Sequence, residues 1–156
     1  MTTDNIRERT FVLIKPDGIQ RGKAGEILSR FESKGLKIVG MKMVRITGEQ
    51  AERQYACHKG KAFYESLVAF MLSGPCVALV LEGRNAIDIV RKLMGATNPL
   101  ASEPGTIRGD MALDTKHNLV HGSDSQASVD LETPIYFAPN ELFEYDLATR
   151  DWLYYT

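Results

Sequence analysis

Two cysteines in 156 residues, Cys57 and Cys76, are too few to frame a disulfide scaffold. Neither has the neighbouring cysteines or histidines of a zinc site, so both read as ordinary thiols. An excess of one charge is also lacking. The formal net charge of -1 and the pI near 6.3 create no overall field toward DNA, RNA or an acidic membrane, so any anion has to be met by a local cluster. No run reaches the about eighteen uninterrupted apolar residues of a membrane span. The opening Met1-Thr2-Thr3-Asp4-Asn5-Ile6-Arg7 has neither an apolar stretch nor a small-residue cleavage site. The expectation is a cytoplasmic protein with no membrane and no nucleic-acid partner.

What is present is the balance of a globular chain, 44% hydrophobic and 25% charged, of a length that fits one domain spanning residues 1–156. Thr10-Phe11-Val12-Leu13-Ile14 reads as a buried strand ended by a turn at Lys15-Pro16-Asp17-Gly18. Ala24, Ile27, Leu28 and Phe31 recur at helical spacing up to Lys34, with Gly35 as a C-terminal cap. Leu36 to Ile46 alternates in part and is long for a strand, which predicts a bulge near Gly40. Thr47 offers an N-cap for a short helix through Tyr55, and Lys61 to Leu72 is again helical. Cys76 to Leu81 is a strand buried on both faces, and Asn85 caps a helix from Ala86 to Met94. From Gly95 to Asp110 no period is visible, and long loops of that kind are usually functional. Asn118-Leu119-Val120-His121 is the last strand; Ser123 with Gln126 resembles a capping box for a helix toward Glu132, and an irregular aromatic tail follows from Pro134. The βαββαβ order predicts an α+β, ferredoxin-like sandwich: a four-stranded antiparallel sheet, helices on one face, a long loop and a C-terminal extension.

Three motifs invite chemistry. Gly18-Ile19-Gln20-Arg21-Gly22-Lys23-Ala24 imitates a phosphate loop. It has three residues between its glycines where that loop needs four, and Ala24 stands where a magnesium-binding hydroxyl belongs. His117 and His121 have the spacing of helical zinc ligands, yet on a strand four residues span roughly 13 Å, too far to share an ion. His121 itself ends a strand, with a glycine and two short polar residues after it. A neutral imidazole is a competent nucleophile if an acceptor holds its other nitrogen, and Glu132 is placed to reach back. On residue chemistry alone, a catalytic histidine and a structural one at a strand end account for the pattern equally well.

The segment Asn118-Leu119-Val120-His121-Gly122-Ser123-Asp124 resembles the active-site signature of nucleoside diphosphate kinases. Phe11 to Gly18, Ser73-Gly74-Pro75, Met94 to Pro99 and Pro104 to Asp110 resemble further motifs of that family, in order, over about Arg9 to Trp152. The resemblance implies a ping-pong transfer of the γ-phosphate of a nucleoside triphosphate, mainly ATP, to a nucleoside diphosphate. It implies that His121 becomes phosphohistidine through Nδ1, that Glu132 orients its ring, and that Tyr55 and Ser123 complete the catalytic set. Arg91, Thr97 and Arg108 match phosphate-binding groups, His58 a phosphate-contacting histidine, Lys15 and Asn118 the pair on the sugar hydroxyls, and Phe63 the ring under the base. Mg²⁺ is implied as cofactor, held mainly by the nucleotide phosphates with no metal ligand from the protein, and so is a homohexamer. Phosphoryl transfer needs in-line positioning and charge stabilisation, which two arginines, a lysine and a hydroxyl supply. On this basis Arg108→Ala is expected to lower turnover with folding intact.

Two other classes compete. A ferredoxin-like nucleotide-binding regulatory module without catalysis has no need of His121, Lys15, Asn118 and both arginines together, and a nucleic-acid binder is disfavoured by the near-neutral charge. A histidine phosphatase would carry an Arg-His-Gly signature, which is absent.

Overall fold

Near-continuous apolar runs make the centre of the sheet, because a strand buried on both faces has no polar side to show. The computed structural model describes residues 5–155; Met1 to Asp4 of the opening segment, and Thr156, lie outside the described residues. In chain order the elements are β1 (Glu8–Ile14), α1 (Pro16–Gln20), α2 (Ala24–Ser33), β2 (Lys37–Val44), α3 (Gly48–Gln54) and α4 (Tyr64–Met71). They continue with β3 (Cys76–Gly83), α5 (Ala86–Met94), α6 (Ile107–Met111), β4 (Val120–Gly122), α7 (Gln126–Tyr136) and α8 (Arg150–Leu153). The four strands lie in the order β2-β3-β1-β4, all pairs antiparallel, as the βαββαβ reading requires.

Alternation along β1 splits the interior in two. Val12 and Ile14 face a core built with Ile27 and Phe31 of α2, Val90 and Met94 of α5 and Ile107 of α6. Phe11 and Leu13 face the other core, with Ala51 of α3, Phe70 and Met71 of α4, and Ile135 and Tyr136 of α7. Helices were expected on one face. The crossover helices α2 and α5 do share a face, but α3, α4 and α7 cover the other, because both sides of β1 and β3 are apolar and neither can meet water. Each large side chain buried in this way contributes roughly 1.5–3 kcal/mol.

Local signals mostly hold. The strand β2 shifts register between Ile38 and Gly40, where a Cβ on residue 40 would sit 2.8 Å from Leu142 Cδ2. Thr47 and Gln50 form a reciprocal capping box at the start of α3. Five expectations are corrected. Pro16 does not end the chain's regularity in a bare turn but opens α1 at its first position, where a missing N–H costs nothing. Asn85 precedes α5 in a left-handed conformation without a side-chain cap, and the Glu8 carboxylate instead accepts Ile87 N–H at 2.9 Å. The cap of α7 is Ser125, which accepts Ser128 N–H at 3.1 Å; Ser123 is free for other work. The stretch 95–110 is not structureless, since a 3₁₀ turn at Pro99–Ala101 and most of α6 lie within it. The tail is less irregular than expected too: α7 passes through Pro134 to Tyr136, and α8 follows. Among the described residues no helix is long and apolar enough to cross a membrane.

Candidate active site

The edge strand β4 is three residues long, and its middle residue, His121, lies opposite Leu13 of β1. Cross-strand partners share a face, so the imidazole enters the Phe11 side of the sheet, its ring 6.3 Å from Phe11 and 6.4 Å, edge on, from Tyr55. Gly122 follows because α5 presses on the strand there. A Cβ at residue 122 would stand 2.6 Å from Met94 Sδ and 3.1 Å from Val90 Cγ1. That contact brings Arg91, on the same helix, over the strand, where its guanidinium donates to Gly122 C=O at 3.3 Å.

His121 Nε2 lies 3.0 Å from Glu132 Oε2, and Ser123 Oγ donates to the same oxygen at 2.5 Å. Glu132 is buried on α7, while the His121 side chain is 22% exposed and open to a substrate. A carboxylate at that distance accepts the Nε2 proton, which fixes the tautomer and leaves the Nδ1 lone pair uncommitted. Tyr55 is buried with its hydroxyl unpartnered, and burial, with Tyr136 and Glu132 close by, pushes its acidity well away from the working range.

A second cluster forms where β4 begins. Lys15 Nζ donates to Asn118 Oδ1 at 2.7 Å, and Asn118 Nδ2 donates to Thr97 C=O at 2.9 Å. Lys15 is buried, which lowers its pKa to about 8, with the charge of Arg108 acting in the same direction. Arg108, 3% exposed, donates to the carbonyls of Asn118, Gly95 and Val120 at 3.2, 3.0 and 2.6 Å. Those three bonds leave two of the five guanidinium N–H donors for a ligand. They also tie α6 and the loop at Gly95 to the start of β4, which sets a loss of three backbone contacts against the expected intact folding of Arg108→Ala. Burial first and Arg91 second lower the pKa of Arg108 to about 10, still charged at neutral pH. Two guanidinium groups near enough to repel, beside a buried ammonium, make a site for a multiply charged anion.

His58 and Phe63 form the rim. Their rings are 5.3 Å apart, Phe63 is half exposed, and Lys61 reaches both, 3.2 Å from His58 Nδ1 and 5.8 Å from the Phe63 ring centre. Burial, then Lys61 and His121, hold the His58 pKa below its ordinary value. The residues singled out from sequence thus fall into a cluster around His121 and Glu132, a cationic cluster of Lys15 and Arg108 with Asn118 and Thr97, and an open aromatic rim of His58 and Phe63. His117 stays apart, exposed and 3.7 Å from Asp114. The sequence reading passed over Asp17, whose carboxylate accepts Leu119 N–H at 3.1 Å; its only signal was its place in the Lys-Pro-Asp-Gly segment.

Comparison with known proteins places the chain in a family. A family model described as nucleoside diphosphate kinase matches residues 8–142. A nucleoside diphosphate kinase of Pelotomaculum thermopropionicum is 53% identical over 147 residues, covering 94% of this chain and 99% of that protein. One from Archaeoglobus fulgidus is 53% identical over 147 residues, covering 94% and 97%. The solved structure of a halophilic nucleoside diphosphate kinase from Halobacterium salinarum, in complex with CDP, superposes with a TM-score of 0.94. It is 48% identical, over 96% of this chain and 99% of that one. The chain belongs to the nucleoside diphosphate kinase family.

Proposed function

We propose that the protein, as one domain, moves the γ-phosphate of a nucleoside triphosphate, mainly ATP, onto a nucleoside diphosphate through a phosphohistidine on His121. Transfer between nucleoside tri- and diphosphates is the reaction of its family, and the chain is an enzyme of that kind; a non-catalytic regulatory module is not favoured. One observation carries the residue-level reading: Glu132 holds Nε2 of His121 at 3.0 Å, so the nucleophilic lone pair is on Nδ1. Nδ1 forms a bond to the γ-phosphorus as the bond from that phosphorus to the β,γ-bridging oxygen breaks, and the diphosphate leaves with the electron pair. A terminal oxygen of the second diphosphate then attacks the phosphorus, and the N–P bond breaks. Glu132 stabilises the positive charge that the ring gains, and Ser123 fixes the carboxylate. Arg91, Arg108 and Thr97 bind the phosphates, with His58 and Tyr55 beside them. Lys15 and Asn118 hold the sugar hydroxyls, and Phe63 stacks on the base without reading its hydrogen-bond pattern, which gives broad base tolerance.

The family works with a divalent cation, and the ion proposed here is Mg²⁺. The groups lining the anion site are cationic and Glu132 is committed to His121 and Ser123, a donor set that suits an ion carried on the nucleotide's own phosphate oxygens. Bound there, Mg²⁺ supplies neutralisation of the phosphate charge. A homohexamer is proposed from the apolar groups left exposed, among them Trp152 at 91%, Tyr155 at 98% and Leu100 at 91%, which a lone domain seldom shows to water. The proposed compartment is the cytoplasm, where Cys57 and Cys76 stay reduced. The test is covalent capture. Label from γ-labelled ATP is expected on the protein, acid-labile and alkali-stable, and its persistence in His121→Ala would remove His121 from the mechanism.

A further inference from the structure

The turn leading into β4 is strained. Leu119 has a φ of 75°, and Val120 N–H closes on Asn118 C=O at 2.9 Å. That is the bond pattern of a γ-turn in its rare positive-φ form, which a leucine keeps only where the surroundings over-determine it. They do so here from α1. Leu119 N–H donates to Asp17 Oδ2 at 3.1 Å, and Leu119 C=O accepts Lys15 N–H at 2.9 Å. Glycine at position 18 permits the approach, since a Cβ there would lie 3.0 Å from Leu119 O and 2.7 Å from Ile14 Cγ2. The turn aims Asn118 three ways: Oδ1 to Lys15, Nδ2 to Thr97 C=O and its carbonyl to Arg108.

Asp17 is a costly residue for this place, because its second oxygen, Oδ1, is buried with no hydrogen-bond partner. A neutral acceptor would serve the Leu119 amide alone. The charge has its own use next door. The ionisable groups facing the Lys15 ammonium are Arg108, which repels it, and Asp17 and Cys76. The Cys76 thiol is pushed up to about 12 by burial and carries no charge near neutral pH, so Asp17 is the counter-charge among these groups. We propose that Asp17 is a positioning residue for phosphoryl transfer: its carboxylate clamps the Leu119 turn that aims Asn118, and its charge keeps the Lys15 ammonium in place against Arg108.

The proposal rests on the assignment of Lys15 and Asn118 to the nucleotide. The test is a pH profile of kcat and kcat/KM for ATP with a second nucleoside diphosphate, on the full chain, alongside thermal unfolding. The variants are Asp17→Asn, Asp17→Ala and Lys15→Gln. In the unaltered protein kcat/KM is expected to fall as Lys15, whose pKa burial lowers to about 8, loses its proton. Asp17→Asn keeps the shape and an acceptor for Leu119, so the fold survives. The alkaline limb moves to lower pH by about one unit, because the ammonium has lost the charge that favoured it. At neutral pH about half of the Lys15 side chains are then deprotonated, so kcat/KM falls about twofold from this cause. Asp17→Ala, which also releases the turn, falls further. An Asp17→Asn limb that superimposes on the unaltered one overturns the proposal, even if stability drops, because a purely structural carboxylate would lower Tm and leave the limb in place. Lys15→Gln separates the two readings: a limb that persists in it overturns the assignment of Lys15 itself.

Discussion

Replacing Glu132 with glutamine removes one charge and almost no volume, and tests the contact proposed to orient His121 for attack. Glu132 Oε2 accepts hydrogen bonds from His121 Nε2 at 3.0 Å and from the Ser123 hydroxyl at 2.5 Å, with Glu132 and Ser123 both buried. A hydrogen bond to a charged group contributes about 1.5–3 kcal/mol and a neutral one about 0.5–1.5, so the substitution lowers transition-state stabilisation by roughly 1–2 kcal/mol. At about 1.4 kcal/mol per decade, phosphorylation of His121 slows roughly 5- to 30-fold. The loss is larger if the new amide turns its NH₂ toward the ring, since Nε2 must then accept and the proton moves to Nδ1, the atom that attacks. Rapid-quench measurement of phosphohistidine formation from γ-labelled ATP isolates this step from product release. Thermal unfolding of the same samples checks that α7 still packs. A Glu132→Gln protein that phosphorylates at the unaltered rate would refute the orienting role and reopen the choice of ring nitrogen.

Two further substitutions separate positioning from binding. Arg108→Ala removes a charge from the anion site and three bonds to backbone carbonyls, so turnover falls by about 10²–10³. The same change costs about 2–4 kcal/mol of stability, a drop in Tm of roughly 5–15 °C by calorimetry, and an unmoved Tm would contradict the stitching role. Phe63→Ala strips the half-exposed ring from the rim and raises KM for the nucleotide about 5- to 100-fold, with kcat and Tm nearly unchanged. If kcat fell more than KM rose, Phe63 would not be the base platform.

How much of this was legible depends on whether the signal is local. The strands β1 and β3 announce themselves as apolar runs, α2 by its period, and the bulge in β2 by length and Gly40. The start of α3 was readable because an N-cap threonine such as Thr47 is a local signal. What failed was the choice between two good local answers. Lys15-Pro16-Asp17-Gly18 suits a turn and a helix start alike, and packing of Gly18 on Leu119 decides for the helix. Ser123 and Ser125 both suit a cap, and Glu132 takes the first, leaving the second. Periodicity tells which side of a helix is apolar and not where that side will lie, so the second helical layer was beyond it.

At the site the chemistry-bearing residues were visible as types, with roles expected from the resemblance, whereas the bonds that shape their backbone were not. Leu119 carries no mark of its positive φ, because a γ-turn in a leucine is imposed by neighbours distant in sequence. Arg108 reads as a ligand group, and its three carbonyl contacts exist only after α6 meets β4. Lys15 holds the turn through its N–H on Leu119 and Asn118 through its ammonium; Arg108 holds Asn118 and Val120 through their carbonyls. The groups assigned to the nucleotide are therefore also the groups that keep the strained segment before His121 in place. Loss of one withdraws a ligand contact and loosens the aim of the others, and non-additive effects among Lys15, Arg108 and Asn118 are the expected consequence of that double use.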